Sequence, residues 1–166
     1  DRVAQRSSVP VLCVRDPAVL EAWLDASRPL RVVIACDRTD SAAKAAAWIA
    51  DLRAVGPCEV TAVHFYWPPA EHERLGLTGI RDYQESAPEV VKAVKQTIRE
   101  QCAFPEDTHF VVEPHMGRVG DRIAKAADEL RADIVVVGAH QRGELERLWE
   151  GSVSRNTLRR AKTSVV

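Results

Sequence analysis

The sequence predicts an α/β fold: a Rossmann-like open parallel sheet of five strands with helices on both faces. From Leu30 onward, short β-branched apolar runs alternate with longer segments of helical periodicity. Each helical segment is long enough for the crossover that two parallel strands need, which takes a dozen or more residues. The strand segments are continuously apolar, as expected for a sheet that helices cover on both sides. With 166 residues, 46% of them hydrophobic, the chain can bury one sizeable core.

The strand and helix segments follow one another in a regular order. "LRVVIAC" is predicted to be a strand because it is a continuous apolar run of strand length, rich in valine and isoleucine. The strands are predicted at 30–36, 58–66, 108–114, 133–139 and 163–166. The helices between them are predicted at 39–55, 86–102, 118–132 and 151–162. Residues 67–84 contain two prolines and two glycines, which predicts an irregular connection.

Two helices carry boundary signals. Thr39, Asp40 or Ser41 is a candidate N-cap for the helix at 39–55, and Gly56-Pro57 is its predicted end. Its predicted core-facing stripe consists of Ala42, Ala45, Ala46, Ile49 and Leu52. Asp16 and Pro17 suit the cap and first turn of a further helix within 16–29. The apolar stripe of that helix is predicted to be Val19, Leu20, Trp23 and Leu24.

Charge and cysteine usage exclude several classes of protein. The net charge of −1 argues against non-specific nucleic-acid binding, which requires a basic domain. Six basic residues late in the chain are interspersed with glutamates and are interpreted as a solvated helix face: Arg142, Arg147, Arg155, Arg159, Arg160 and Lys162. The four cysteines form no CxxC pair and the five histidines have no metal-ligand spacing, so no metal site is predicted. No apolar stretch is long enough for a membrane span, and the first residues lack a secretory pattern, which predicts a cytoplasmic protein.

Two strand ends carry candidate ligand chemistry. The first strand ends in Cys36-Asp37, and the fourth ends in Gly138-Ala139-His140. In open parallel sheets the ligand lies beyond the carboxyl ends of the strands, at the point where strand order reverses. Gly151-Ser152 then opens a helix, whose unpaired N–H groups and partial positive charge suit a phosphate chain. The sequence therefore predicts that both strand ends share one rim.

With these residues, the segment from about Leu30 to Val166 resembles the universal stress protein family, which has an adenine nucleotide alpha hydrolase-like fold. The resemblance lies in "IACDRTDS" and in "GAHQRGELERLWEGSVS", where Gly138, Gly151, Ser152 and Val153 match a family loop of spaced glycines followed by serine or threonine. It implies that the chain binds ATP, accompanied by Mg²⁺. Asp37 is expected to contact the adenosine, and Ala35, Val60 and Val153 to form apolar walls. The nucleotide-binding residues implied are Ala35, Asp37, Thr39, Val60, Gly138, His140, Gln141, Arg142, Gly151, Ser152 and Val153.

The chain departs from the family pattern at two positions. Arg38 stands where the family often has glycine, and Gln141 stands where the second loop glycine belongs. Two functions therefore stay open: a nucleotide-binding stress-response sensor or interaction module, and a dimerising protein of the same fold that binds no ATP. Because no GxSxG element surrounds Ser152 or Ser154, no catalytic residue is predicted, and the chain is not expected to be an enzyme beyond slow ATP hydrolysis.

The first residues predict a tandem arrangement. "QRSSVPVLCVR" can be aligned with "RRAKTSVV", with Arg6 opposite Arg160, although a chance likeness between short apolar strands is the alternative. Residues 1–29 are therefore interpreted as the last strand of a preceding universal stress domain plus a linker helix, and residues 30–166 as the domain itself. The strand at 163–166 predicts a homodimer or tandem pairing through sheet edges, with "VPVLCV" placed to occupy such an edge in its own sheet or a neighbour's.

Overall fold

The sheet has the predicted parallel, five-stranded architecture. The structure is a computed structural model that describes residue 7 and residues 9–78, 86–138 and 152–166. All neighbouring strands are parallel, and their spatial order is β3-β2-β1-β4-β5. The strands are β1 Leu30–Ala35, β2 Cys58–Tyr66, β3 His109–Pro114, β4 Ile134–Val137 and β5 Ser164–Val165. The fold class predicted from the sequence is confirmed.

Helices connect the strands and precede the first of them. Within the described ranges they are α1 Pro17–Leu24, α2 Asp40–Val55, α3 Pro68–Arg74, α4 Pro88–Cys102, α5 Val119–Glu129 and α6 Ser152–Arg160. The prediction that the whole connection at 67–84 is irregular was wrong for α3. Its two prolines occupy the first helical positions, where a backbone N–H has no partner in the helix and proline is tolerated. Residues 79–85 lie outside the described part of the chain.

The sheet separates two apolar cores, because alternate residues of each strand face opposite sides. Val32 and Ile34 pack with α1, α2 and α4, while Val33 and Val135 pack with α5 and α6. The predicted stripe of α2 faces the first core: its alanines at 42 and 46 and Ile49 are buried, and the other two members are partly buried. Helices therefore cover both faces, as predicted.

The α1 helix begins as predicted and packs through fewer residues than predicted. The Asp16 carboxylate accepts a hydrogen bond from the Ala18 N–H at 3.0 Å, which caps the helix. Trp23 is buried against Gly56, and its indole N–H donates to the Pro57 carbonyl at 3.0 Å. Leu24 is 63% exposed, so its assignment to the apolar stripe was wrong. The helix makes its core contact through Trp23, one residue before its last residue, Leu24.

The amino-terminal segment covers the outer edge of β5. Cys13 pairs antiparallel with Val165: the Cys13 N–H donates to the Val165 carbonyl at 2.8 Å, and the Val165 N–H donates back at 3.1 Å. The Arg15 N–H donates to the Ser164 hydroxyl at 3.0 Å, which extends the contact by two residues. In this chain the segment thus occupies an edge of its own sheet. None of the helices in the described residues is both long and apolar enough for a bilayer span, and the cytoplasmic location stays a prediction.

Candidate functional site

The candidate site lies where the strand order reverses. From β1 the chain builds outward to β2 and β3, then crosses to β4 on the other side of β1. Ala35 and Val137 are register partners on β1 and β4, so the residues that follow them leave the sheet side by side. A crevice between the carboxyl ends of such diverging strands is the usual ligand position in open α/β sheets. The geometry brings Asp37 and Gly138 to one rim.

Asp37 organises the turn between β1 and α2. Its Oδ1 accepts hydrogen bonds from both the backbone N–H and the hydroxyl of Thr39, the first at 3.1 Å. Thr39 is the N-cap residue of α2, but its side chain makes no cap bond to the helix and donates to Asp37 instead. Asp37 is exposed, so its carboxylate faces outward from a fixed turn and can accept further donors from a ligand.

A buried histidine fixes the backbone immediately before Asp37. The His64 Nδ1–H donates to the Cys36 carbonyl at 2.7 Å, while the Cys36 N–H donates to the Val63 carbonyl at 2.9 Å. Burial lowers the pKa of His64 below its ordinary value, more than the hydrogen bond to Cys36 raises it. The ring is 8% exposed, and its Nε2 has no partner among the described residues. His64 is therefore a neutral, positioning group beneath the rim, and sequence analysis missed it.

Gly138 packs directly on the first turn of α2. A Cβ at this position would lie 2.9 Å from the Ser41 Cβ and 3.0 Å from its carbonyl carbon and oxygen. Two of these three atoms are backbone, so the clash could be relieved only by moving the helix. Ser41 is not among the predicted nucleotide-binding residues. Because glycine has no side chain, the end of β4 and the start of α2 can meet at Gly138. This packing role is separate from the approach of a phosphate, which the family resemblance implies.

Arg38 is held by a carboxylate from α3. Its two terminal nitrogens donate to Glu71 at 2.9 and 2.6 Å, and Arg74 donates to the same carboxylate at 2.8 Å. Burial raises the pKa of Glu71, but the hydrogen bonds from the two arginines outweigh it and leave the pKa below the ordinary 4.5. The Glu71 side chain is 6% exposed, so this cluster links the rim to α3 with little access to water. Nothing in the local sequence pattern relates residues 38 and 71.

The remaining predicted site residues divide into three groups. Ala35 ends β1 at the rim, and Val153 is exposed in the first turn of α6. Val60 is not brought to the rim: it pairs with Val32, three residues before the Ala35 and Val63 pair, and thus about 10 Å down the strand. His140, Gln141, Arg142 and Gly151 lie outside the described residues, and Ser152 is described only as the first residue of α6.

Comparison with known proteins defines the class to which this fold and rim belong. The family model described as "Universal stress protein family" matches residues 30–166. The chain therefore belongs to the universal stress protein family. No curated protein shows a significant match to the sequence.

Solved structures of this family share the fold at low sequence identity. A universal stress protein from Archaeoglobus fulgidus DSM 4304 is 19% identical, with a TM-score of 0.61, and the match covers 98% of this chain and 50% of that one. A universal stress protein from Archaeoglobus fulgidus in complex with dAMP is 23% identical, with a TM-score of 0.52 and coverage of 82% and 95%. A universal stress protein in complex with cAMP is 20% identical, with a TM-score of 0.51 and coverage of 83% and 94%. At these identities the likeness shows the fold alone.

Proposed function

We propose that this universal stress domain binds an adenine nucleotide, ATP with Mg²⁺, in the crevice between the carboxyl ends of β1 and β4. The observation that carries the proposal is the side-by-side exit of Asp37 and Gly138 at the point where strand order reverses. The proteins of this fold that were solved with cAMP and with dAMP support the adenine nucleotide class. The nucleotide would link stress to the domain's interactions, as a sensor does.

Each end of the nucleotide has a proposed partner in this chain. Asp37, held in place by Thr39, would accept hydrogen bonds from the adenosine. The amino end of α6 at Ser152 would donate backbone N–H groups to the phosphates, together with Gly151. His140, Gln141 and Arg142 in the preceding loop complete the proposed set. Mg²⁺ would neutralise phosphate charge in the bound nucleotide.

Calorimetric titration with ATP tests the proposal. We expect Asp37→Ala to weaken binding by about ten- to a hundredfold, because a lost hydrogen bond to a charged group is worth roughly 1.5–3 kcal/mol. Gly151→Val should abolish binding, because its side chain would stand where phosphate oxygens approach the backbone. Asp51→Ala is the matched control, since Asp51 is an exposed carboxylate of α2, roughly 17 Å along the helix from Asp40. Equal affinity of the parent and both site variants would remove this crevice from consideration.

Gln141 distinguishes the nucleotide-binding function from the alternative, a dimerising protein that binds no ATP. Glutamine carries a Cβ and an amide that glycine lacks, so we expect weak ATP binding, between micromolar and millimolar, or roughly 4 to 8 kcal/mol. Gln141→Gly should then tighten binding about tenfold, if roughly 1.4 kcal/mol of crowding is relieved. Weaker binding by the glycine variant would mean that the glutamine amide contacts the ligand. Failure of both proteins to bind ATP would favour the alternative.

Slow turnover is part of the proposal. The chain is proposed to hold its nucleotide rather than consume it, because Ser152 and Ser154, which follow Gly151, lie in the first turn of α6, where serine acts as a cap or phosphate donor. Phosphate release from ATP should stay far below the roughly 1–10³ s⁻¹ of ordinary enzymes. A rate within that range would contradict a sensor role.

The outer edge of β5 is the proposed pairing surface, for a homodimer or for neighbouring domains of a tandem chain. The antiparallel pair of Cys13 and Val165 supports it, because that edge accepts a strand with two reciprocal hydrogen bonds. The strand seated there is the one whose sequence resembles the last strand of a universal stress domain. The relative from strain DSM 4304, of which this chain covers half, is consistent with two such units in one chain.

A further inference from the structure

We propose that the cleft between α5 and α6 is a second anion site, which binds a small phosphate-bearing ligand separately from the nucleotide. Four residues line this cavity of about 280 Å³: Arg118, Asn156, Arg159 and Arg160. Its volume lies just below the roughly 300–1,000 Å³ of pockets for drug-sized ligands, so a small anion is the appropriate size. Among the described residues, the lining offers guanidinium and amide donors and no carboxylate.

The carboxylates of the described residues balance only part of the charge of the cleft. Arg160 lies 3.6 Å from the Asp121 carboxylate, which offsets one positive charge. Lys162, the next basic residue along the chain, is paired with Asp128 at 3.5 Å. Within the described part of the chain, the guanidinium groups of Arg118 and Arg159 have no acidic partner. Two planar, bidentate donors that face one cavity match the geometry of a phosphate group.

The cleft depends on a close helix crossing. Gly120 lies against α6 so tightly that a Cβ there would be 2.7 Å from the Asn156 Cβ and 2.8 Å from the Val153 carbonyl oxygen. Arg118, two residues earlier at the start of α5, is thereby brought beside the last turns of α6. Basic residues at the end of α6 would stabilise its dipole without any ligand, which accounts for Arg159 and Arg160. The dipole of α6 does not account for Arg118, which lies at the start of α5.

The site is distinct from the proposed nucleotide crevice. Arg159 is seven residues after Ser152 on the same helix, which is roughly 10 Å along its axis. The phosphates of a bound nucleotide would lie at the amino end of α6, while the cleft lies beside its carboxyl-terminal half. The two proposals can therefore fail independently of each other.

The test is a titration of the ¹⁵N-labelled chain with inorganic phosphate and with pyrophosphate, against sodium chloride at matched ionic strength. We expect saturable shifts of the Arg118 and Arg159 Nε–H signals with at least one phosphate anion and none with chloride. Arg118→Gln and Arg159→Gln should each weaken binding about tenfold. Arg118→Lys keeps the charge without the bidentate fork and should also weaken binding. Since Arg118 and Arg159 are both exposed, these variants should fold, which circular dichroism checks.

Two controls make the test decisive. Arg155→Gln removes the same charge from an exposed position of α6 outside the cleft and should change affinity by less than about twofold. Gly151→Val, which disables the proposed nucleotide site, should leave the phosphate-induced shifts of the Arg118 and Arg159 signals unchanged, since these signals report on the cleft alone. The proposal is overturned if neither anion binds saturably, or if Arg155→Gln weakens binding as much as Arg118→Gln. It is also overturned if Gly151→Val abolishes the shifts of the Arg118 and Arg159 signals.

Discussion

His64 shows how one buried residue can fix a functional turn. Its bond to the Cys36 carbonyl requires a proton on Nδ1, so in the neutral ring the buried Nε2 carries none. Because burial lowers the pKa, the imidazole should titrate with a midpoint below the ordinary 6.5. NMR of the His64 ring signals between pH 5 and pH 8, where an ordinary histidine titrates, measures this midpoint directly. A midpoint at or above 6.5 would contradict the buried, neutral assignment.

The lowered pKa of His64 makes the stability of the fold depend on pH. A histidine whose folded-state pKa is depressed binds protons more readily in the unfolded chain, so stability falls as the pH drops below 6.5. The sign is opposite to that of a histidine held by a carboxylate. Acidification in this range should therefore weaken the fold around the rim.

Gly138 tests packing at the rim separately from ligand approach. Gly138→Ala places a methyl group within 3.0 Å of the Ser41 backbone, and we expect a loss of about 1–3 kcal/mol in the free energy of unfolding without any nucleotide present. Denaturant titration measures this free energy of unfolding for the parent and the variant. Gly76→Ala is not a suitable control, because Gly76 has a positive φ of 65° and would be strained by itself. Ala43→Gly, in the first turns of α2, reports the unrelated cost of a helical glycine, about 1 kcal/mol. If Gly138→Ala leaves stability unchanged, the close contact with α2 is not rigid.

At the scale of elements, α3 is attached to the rim by one buried carboxylate. Glu71→Gln removes the ionic bonds to Arg38 and Arg74, and we expect a loss of about 1–3 kcal/mol at pH 7. A carboxyl with a depressed pKa contributes its stability above its unfolded pKa of about 4.5 and loses it as the pH falls further. The difference between the parent and the variant should therefore shrink when unfolding is measured in acid, below that value.

Glu73→Gln is the control for this cluster. Glu73 lies on the same helix, carries the same charge and is exposed. We expect its replacement to change stability by less than about 0.5 kcal/mol at any of these pH values. A pH-independent effect of Glu71→Gln would indicate that the variant disturbs packing rather than the ion pairs.

For the molecule as a whole, the proposed pairing predicts that a partner competes with the amino-terminal segment for the edge of β5. Cys13→Pro removes the N–H that donates to the Val165 carbonyl, so it should loosen the segment and shift self-association toward the dimer. Cys13→Ser keeps that N–H and serves as the control. Sedimentation velocity over a concentration series measures the equilibrium. If the proline and serine variants associate equally, the edge of β5 is not where copies of this chain pair.

The sequence by itself determined the alternation of five apolar strands with helices, and with it the parallel sheet and the rim where Asp37 and Gly138 emerge. Apolar periodicity and strand length are local properties, and the crossover rule turns them into topology. The sequence did not determine register: Val60, which the resemblance implied as an apolar wall of the nucleotide site, pairs with Val32, below the end of the strand. A pattern of two-residue period identifies the faces of a strand but not its height in the sheet.

Only the tertiary structure decided which distant residues meet. The bond between Arg38 and Glu71 spans 33 residues, and Arg118 and Arg159 line one cleft at a helix crossing that Gly120 permits. Such contacts depend on how close two backbones approach, which is set by packing throughout both cores rather than by any local pattern. The edge of β5 is a second example. The sequence allowed the segment that pairs with this edge to come from this chain or from a neighbour, and the fold places Cys13 of this chain there.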